Sequence, residues 1–373
     1  MIFKGVKVLD LSTLLPGPMC SLFLADLGAD VIKIESLSGD AMRRFQNETG
    51  KSPYFNALNR NKKSIALNLK TSEGRKIFMK LARSADVVIE GFRPGKVESL
   101  GAGYRQARKI NPKIIYCSIT GYGQKGAYRN KAGHDLNYAA LSGVLDVISE
   151  KPFVAGMQIA DAGSALIAAF AIAAALFQRE KTGKGEYIDI AVTDGALSLI
   201  SMHLAYRSIS NNRKTILSGS MPCYNVYETK DSKFVSMGAI EQKFWELFCS
   251  SMGRKDLLAK QFDGSVEVMK EMKSIFKSRT LKEWVAANNK HDFCCEPVKK
   301  IGEIVNDNYF KSRKMLVELD GIIQAGLPVF FSSLKKRSDS RAPKLGEHTL
   351  EILKSIGYNG RQIAKMKANG VVL

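Results

Sequence analysis

Four short apolar runs, each separated from the next by a helical or loop segment, constrain this chain more than any other feature. They are "VKVLDLS" (6–12), "ADVIKIE" (29–35), "DVVIEGF" (86–92) and "KIIYCSITGYG" (113–123). Between them lie "TLLPGPMCSLFLADLG", in which Gly28 is placed to end a helix, and "SEGRKIFMKLARSA", which has helical periodicity. Strands alternating with helices predict a Rossmann-like parallel sheet with helices on its faces. After "EYIDIAVTDGALSLI" the rhythm changes. "YNVYETKDSKFVSMGAI" reads as a hairpin turning at Lys230-Asp231-Ser232, and two helical segments come after it. The expected organisation is a large α/β domain over 1–204, a smaller α+β domain over 205–325, and a return of 326–373 to the first.

The longest apolar stretch, "AGSALIAAFAIAAALF" (162–177), is shorter than the roughly 18–20 residues of a membrane span and is rich in alanine. We read it as a core helix apolar on all sides, and we expect no membrane partner. The formal net charge of +20 favours polyanions or phosphate-bearing metabolites. The basic residues are spread along the chain, however, and the tracts "NRNKKS" and "LKKRSDSRAPK" are too short for a nucleic-acid tail. A basic nucleic-acid-binding protein is therefore the distant alternative, without a recognisable motif to support it. The six cysteines show no CxxC spacing and the four histidines are far apart, so no metal site is expected. The first residues lack the long apolar core of a signal peptide, which makes a cytoplasmic location with reduced thiols the expectation.

"GYGQKG" (121–126) matches GxGxxG, yet the next residues, "AYRNKAGHD", are polar and turn-like rather than an apolar helix, so a dinucleotide fingerprint is not indicated. "KTGKGEY" has the wrong glycine spacing for a P-loop. "AGHDLNYAALSGVL" (132–145) places His134 and Asp135 where a helix begins. Either Asp135 is a cap and His134 a loop residue, or His134 is a base, since the positive helix end disfavours imidazolium. Asp161 precedes the apolar helix, as an N-cap or as a half-desolvated carboxyl; burial would raise its pKa and the helix dipole would lower it. Glu241 falls in the first turn of a helix past the hairpin. Lys70 and Arg93 come directly after strands, where open α/β sheets bind ligands.

Taken together, "LDLSTLLPGPMCSLFLADLGADVIKIE", "NRNKKSIALNLK", "DVVIEGFRPGKVESLG", "IIYCSITGYGQKG", "EKTGKGEYIDIAVTDGAL" and "LGEHTLEILKSIGY" resemble, in the family's order, the family III CoA-transferases. "GHDLNY" and "GAIE" resemble the α-methylacyl-CoA racemase branch. The resemblance implies two ring-like chains interlocked as a homodimer, no prosthetic group, and coenzyme A arriving as part of a thioester substrate. It implies His134 and Asp161 as the acid/base pair flanking the α-carbon, with Glu241 orienting His134, and epimerisation of a 2-methyl-branched acyl-CoA. It implies coenzyme A contacts at Leu67, Asn68, Lys70, Arg93, Gly133 and Tyr138. Ser36 stands where racemases often carry a CoA-contacting arginine, with Lys33, Arg43 and Arg44 nearby to compensate. The segment "GDAMRRFQNETGKSPYFNALNRNKKS" is more similar to transferases, in which Asp161 would form an anhydride and move CoA between carboxylic acids. The Met-containing stretches "SGSMPCYNVY" and "KFVSMGA" are the expected seat of a branched or fatty acyl chain.

Overall fold

The computed structural model describes residues 1–210, 215–332 and 339–373. Residues 334–338 of the second basic tract lie outside the described residues. Six strands form one sheet in which every pairing is parallel: β1 (Lys7–Asp10), β2 (Asp30–Glu35), β3 (Lys62–Ala66), β4 (Val87–Glu90), β5 (Ile115–Thr120) and β6 (Glu186–Ala191). Their order, β3-β2-β1-β4-β5-β6, is that of a doubly wound sheet, whose direction of winding reverses between β1 and β4. The intervening helices are α1 (Pro16–Asp26), α2 (Pro53–Asn59), α3 (Ser72–Arg83), α4 (Lys96–Ser99), α5 (Tyr104–Ile110), α6 (Asp135–Leu141), α7 (Val144–Ile148), α8 (Ile159–Thr182) and α9 (Val192–Leu199). α1 starts on Pro16 and ends before Gly28, whose φ of +105° suits glycine. β4 and β5 are buried along their whole length, as strands covered on both faces must be.

The chain divides into two compact units. The first comprises 1–144, 154–200 and 309–373; the second comprises 145–153 and 201–308. The second holds α10 (Ser201–Ile209), the antiparallel sheet β7 (Tyr224–Glu228), β8 (Phe234–Gly238) and β9 (Cys295–Pro297), and the helices α11 (Gln242–Ser251), α12 (Val266–Lys277) and α13 (Leu281–His291). Trp245, Phe248, Phe276 and Trp284 fill its core, with Tyr227 stacked on Phe276 at 4.2 Å. Cys223 and Met237 point into that core as well, so these side chains of the Met-containing stretches do not offer the expected acyl seat.

The short helices α14 (Ile301–Ile304) and α15 (Asn308–Ser312) lead back to the first unit. The return occurs near residue 309 rather than 326, because the hairpin β10 (Leu316–Leu319) and β11 (Ile322–Ala325) is tied to the end of α2: Arg60 donates to the Ala325 carbonyl at 2.8 Å. The helices α16 (Thr349–Ser355) and α17 (Gly360–Ala368) complete this unit. Beyond them the Val371 carbonyl accepts the Asn68 N–H at 2.9 Å.

α8 is long and apolar enough to cross a membrane, yet it is not the core helix expected, buried on every side. Its small residues, Gly163, Ser164, Ala165, Ala168 and Ala175, face inward, where they let neighbouring backbones approach. Leu166, Phe170 and Phe177 face outward and are exposed.

Charged groups lie beneath the first loop. Lys33 and Asp40 pair at 2.9 Å with both side chains fully buried. Lys62 pairs with Asp10 at 3.2 Å and also donates to the Pro18 carbonyl and Asn59. Both lysines reach Asp10 or its neighbourhood: Lys33 donates to the Ser12 carbonyl, and Asp10 accepts the Ser12 N–H. Asp40 accepts the N–H of Leu14, whose φ of +67° is left-handed. Burial opposes ionisation of Asp10, but the two lysines and two serine hydroxyls hold its carboxyl down at about 2. Lys33 is thus locked away from any phosphate. Arg43 is committed too, gripping Glu35 through two bonds of 2.7 Å and stacking 3.6 Å above Phe55.

Candidate active site

In a doubly wound sheet the crevice at the reversal of strand order, outside the carboxyl ends of the strands, is where ligands bind. This chain has a cavity of roughly 430 Å³ there. The loop after β1 (Ser12, Thr13, Leu14) and the start of α1 form one wall, and the loop after β4 (Gly91, Phe92, Arg93, Pro94) forms another. Ser12 and Gly17 meet so closely that a Cβ on Gly17 would fall 2.1 Å from the serine hydroxyl oxygen. Glu90 holds the β4 loop from below by accepting the Phe92 N–H at 2.8 Å; burial pushes its carboxyl up to about 7.

The third wall carries His134 and Asp161, so two residues far apart in the chain open into one cavity. His134 is itself the N-cap of α6, not a residue outside it, and Asp135 is the first helical residue. Asn137 accepts the His134 N–H at 3.0 Å, which fixes the backbone there. α8 begins at Ile159, so Asp161 sits in its first turn rather than at the cap. Asp135 accepts the Asp161 N–H at 3.0 Å and thereby joins the two helix starts. Burial, and then the neighbouring Asp135 charge, push the Asp161 carboxyl up to about 7. The direction is the one foreseen from burial.

Tyr138 is buried, and its hydroxyl donates to the Gly133 carbonyl at 2.6 Å. Burial raises the Tyr138 hydroxyl to about 12, so it remains a donor at neutral pH. Its ring packs edge-on to Tyr122 with centroids 5.2 Å apart. Gly121 and Gly133 leave room for it: a Cβ on Gly121 would lie 2.4 Å from the hydroxyl oxygen, and one on Gly133 would lie 2.7 Å from the ring. Gly121 of "GYGQKG" and Gly133 of "AGHD" are in this way packing partners of one tyrosine.

A second cavity, of roughly 440 Å³, opens at the carboxyl ends of β2 and β3. Leu67, Asn68 and Lys70 line it with Ser36 and Lys96, and Phe92 is shared with the first cavity. Leu67 is buried, and the Asn68 side chain is engaged with the Gly370 carbonyl and the Lys70 N–H. The coenzyme-contact residues read from the sequence therefore fall into two neighbouring cavities: Leu67, Asn68 and Lys70 in one, Arg93, Gly133 and Tyr138 in the other. Glu241 belongs to the second unit, exposed at the N-cap of α11, and the cavity holding His134 and Asp161 is built from the first unit alone. The motifs of the sequence did not point to the β1 loop, Phe92 or Tyr122 as parts of the site. For the β1 loop a signal existed in the Pro-Gly-Pro of "STLLPGP", directly after a strand at the sheet's centre. Among the described residues, no group of three or more His, Cys, Asp or Glu side chains converges as metal ligands do.

The model of CoA-transferase family III matches residues 3–349. The chain belongs to CoA-transferase family III. Among its family relatives, the human α-methylacyl-CoA racemase is 33% identical, with 100% of this chain and 98% of the racemase aligned. A succinyl-CoA:mesaconate CoA-transferase from Haloarcula marismortui is 32% identical over 95% of this chain and 96% of its own. The crystal structure of a CaiB/BaiF family protein from Brucella suis superposes with a TM-score of 0.84 at 30% identity, covering 95% of this chain and 99% of that one. Family III membership makes this an enzyme of the racemase and CoA-transferase superfamily.

Proposed function

We propose that the chain is a racemase of 2-methyl-branched acyl-CoA thioesters. The observation that carries this reading is the pairing of His134 with a carboxyl, Asp161, that titrates near neutrality, in one cavity. A thioester makes its α-hydrogen weakly acidic, because the enolate delocalises charge onto oxygen. Epimerisation needs a base on one face of that carbon and an acid on the other. His134 removes the proton from one face, and Asp161, half-protonated near neutral pH, returns one to the other; in the opposite direction the roles exchange. A group whose pKa lies near the working pH serves both duties, and each well-placed group contributes roughly 10²–10⁴-fold. The nucleotide end of coenzyme A lies in the second cavity against Lys70 and Lys96, and the chain of the thioester passes Phe92 to reach His134.

The deciding experiment tracks α-deuterium incorporation into a 2-methylacyl-CoA in D₂O, with His134→Ala and Asp161→Ala in parallel. Exchange by the wild type that both variants lose is the expected result. No exchange, with CoA passing to an added carboxylic acid in a reaction that needs Asp161 but not His134, would make the chain a transferase.

The same reading includes a homodimer in which a second copy covers the outer face of α8, where Phe170 is 75% and Phe177 65% exposed. Sedimentation equilibrium should give twice the chain mass, and the double variant Phe170→Glu/Phe177→Glu should give the monomer. A monomeric wild type would discard this part.

A further inference from the structure

The helices α3 and α5 pack against each other and carry seven cations and one carboxylate between them. A groove of roughly 640 Å³ runs along α3. Met79, Ile110 and Tyr358 give it an apolar lining, and its charged groups are Arg75, Lys76, Lys80 and Arg83 against Glu73 alone. Lys76, Lys80 and Arg83 are exposed and recur at i, i+4 and i+7, so they form one stripe on α3, about 10 Å long. Lys76 pairs with Glu73 at 3.4 Å. Among the described residues, Arg75, Lys80 and Arg83 have no ion pair. The Lys80 ammonium lies instead 4.0 Å from the centre of the Tyr358 ring, whose hydroxyl donates to Glu73 at 3.5 Å. The groove begins where the second cavity ends. Lys70 lines that cavity, and Ser72, two residues on, lines the groove. Leu100 lines the cavity as well, and Arg75 packs over the next residue, Gly101, so closely that a Cβ there would fall 2.6 Å from the arginine Cδ. Cations thus lead from Lys70 and Lys96 past Arg75 onto the stripe of α3.

We propose that the groove along α3 docks an acidic helix of a small carrier protein, one that holds its acyl thioester on a phosphopantetheine arm. The proposal rests on the reading that seats the nucleotide end of coenzyme A in the second cavity. Coenzyme A and acyl carrier proteins present the same arm, and they differ in what lies beyond its phosphate: a nucleotide in one, an acidic protein in the other. With the arm in the two cavities and its phosphate against Lys70 and Lys96, the rest of the carrier stands at the start of the groove. An amphipathic helix fits a groove with an apolar lining, and carboxylates one turn apart match the spacing of Lys76, Lys80 and Arg83. A single-stranded nucleic acid would stack its bases on open aromatic faces, whereas the groove's aromatic ring, Tyr358, is taken by Lys80. A bilayer surface is too broad to enter a groove.

The test measures, by titration calorimetry at low and high ionic strength, the binding of a bacterial acyl carrier protein loaded with a 2-methylbutanoyl group, and of 2-methylbutanoyl-CoA beside it. The wild type should bind the loaded carrier, more weakly as salt rises. The triple variant Lys76→Gln/Lys80→Gln/Arg83→Gln should bind the carrier about tenfold more weakly, the loss of several surface ion pairs together. Its affinity for 2-methylbutanoyl-CoA should stay within about twofold of the wild type, which also shows that it is folded. No binding of the carrier by the wild type would overturn the proposal, as would a triple variant that binds it equally well. If the triple variant weakens 2-methylbutanoyl-CoA as much as the carrier, the stripe serves the coenzyme's own phosphates and the proposal fails. It fails too if phosphatidylserine vesicles or a single-stranded oligonucleotide bind through these three residues and the carrier does not. Lys70→Gln/Lys96→Gln tests the reading beneath it: unchanged binding of 2-methylbutanoyl-CoA would remove the nucleotide from the second cavity, while loss of the carrier in the triple variant would still uphold the docking groove.

Discussion

Asp161 shows how much a single residue depends on what stands beside it. Burial alone raises a carboxyl, and the Asp135 charge raises it further while accepting the Asp161 backbone N–H. Asp135→Asn separates the two influences, because the asparagine oxygen can still accept that N–H whereas the charge is gone. If protonated Asp161 is the acid, exchange of one epimer falls as pH rises through about 7. In Asp135→Asn that fall moves to lower pH, with maximal exchange within roughly tenfold of the wild type. A pH–rate profile measured by deuterium incorporation reads the shift directly, and an unmoved profile would assign the limb to another group. The residue was legible in the sequence, but its place in the helix was not. The helix starts at Ile159, outside the alanine-rich run, because the chain enters α8 through Ile159 and Ala160 with no side-chain cap to mark the beginning.

At the scale of elements, the start of α6 depends on two glycines and one tyrosine. Gly121→Ala would drive a methyl group into the Tyr138 hydroxyl and ring, and overpacking of this kind costs about 1–3 kcal/mol. Thermal or urea unfolding should show that loss, with a fall in exchange activity as α6 carries His134 away from Asp161; stability equal to the wild type would mean that the tyrosine moves freely. The strands were readable because buried parallel strands are short apolar runs with turn residues after them. The interior lysines were not. In sequence, Lys33 and Lys62 look like surface charge, since lysine is almost never fully buried unless paired. Their partners, Asp40 and Asp10, are separated from them by 7 and 52 residues, and only the folded sheet brings each pair together. The two faces of α8 were hidden for a related reason: alanine and phenylalanine both count as apolar, yet the smaller one is selected where backbones approach and the larger one stands outside.

On the scale of the whole molecule, the α/β class and the order of its main pieces could be read from the alternation of strands and helices. The place where the chain comes back could not, because β10 and β11 carry no apolar signature that separates them from the second unit's strands; Arg60 and its bond to Ala325 decide it. The two cavities at the carboxyl ends of the central strands share Phe92, and one wall of the second is tied to the far end of the chain: the Asn68 side chain donates to Gly370, 302 residues away. That tie sets a schedule for synthesis. At roughly 5–20 residues per second a ribosome takes about 15–60 s to travel from Asn68 to Gly370. For all that time the nascent sheet waits with the end of β3 unfastened, and Leu67 and its apolar neighbours must be kept from the wrong partners until their own have been made.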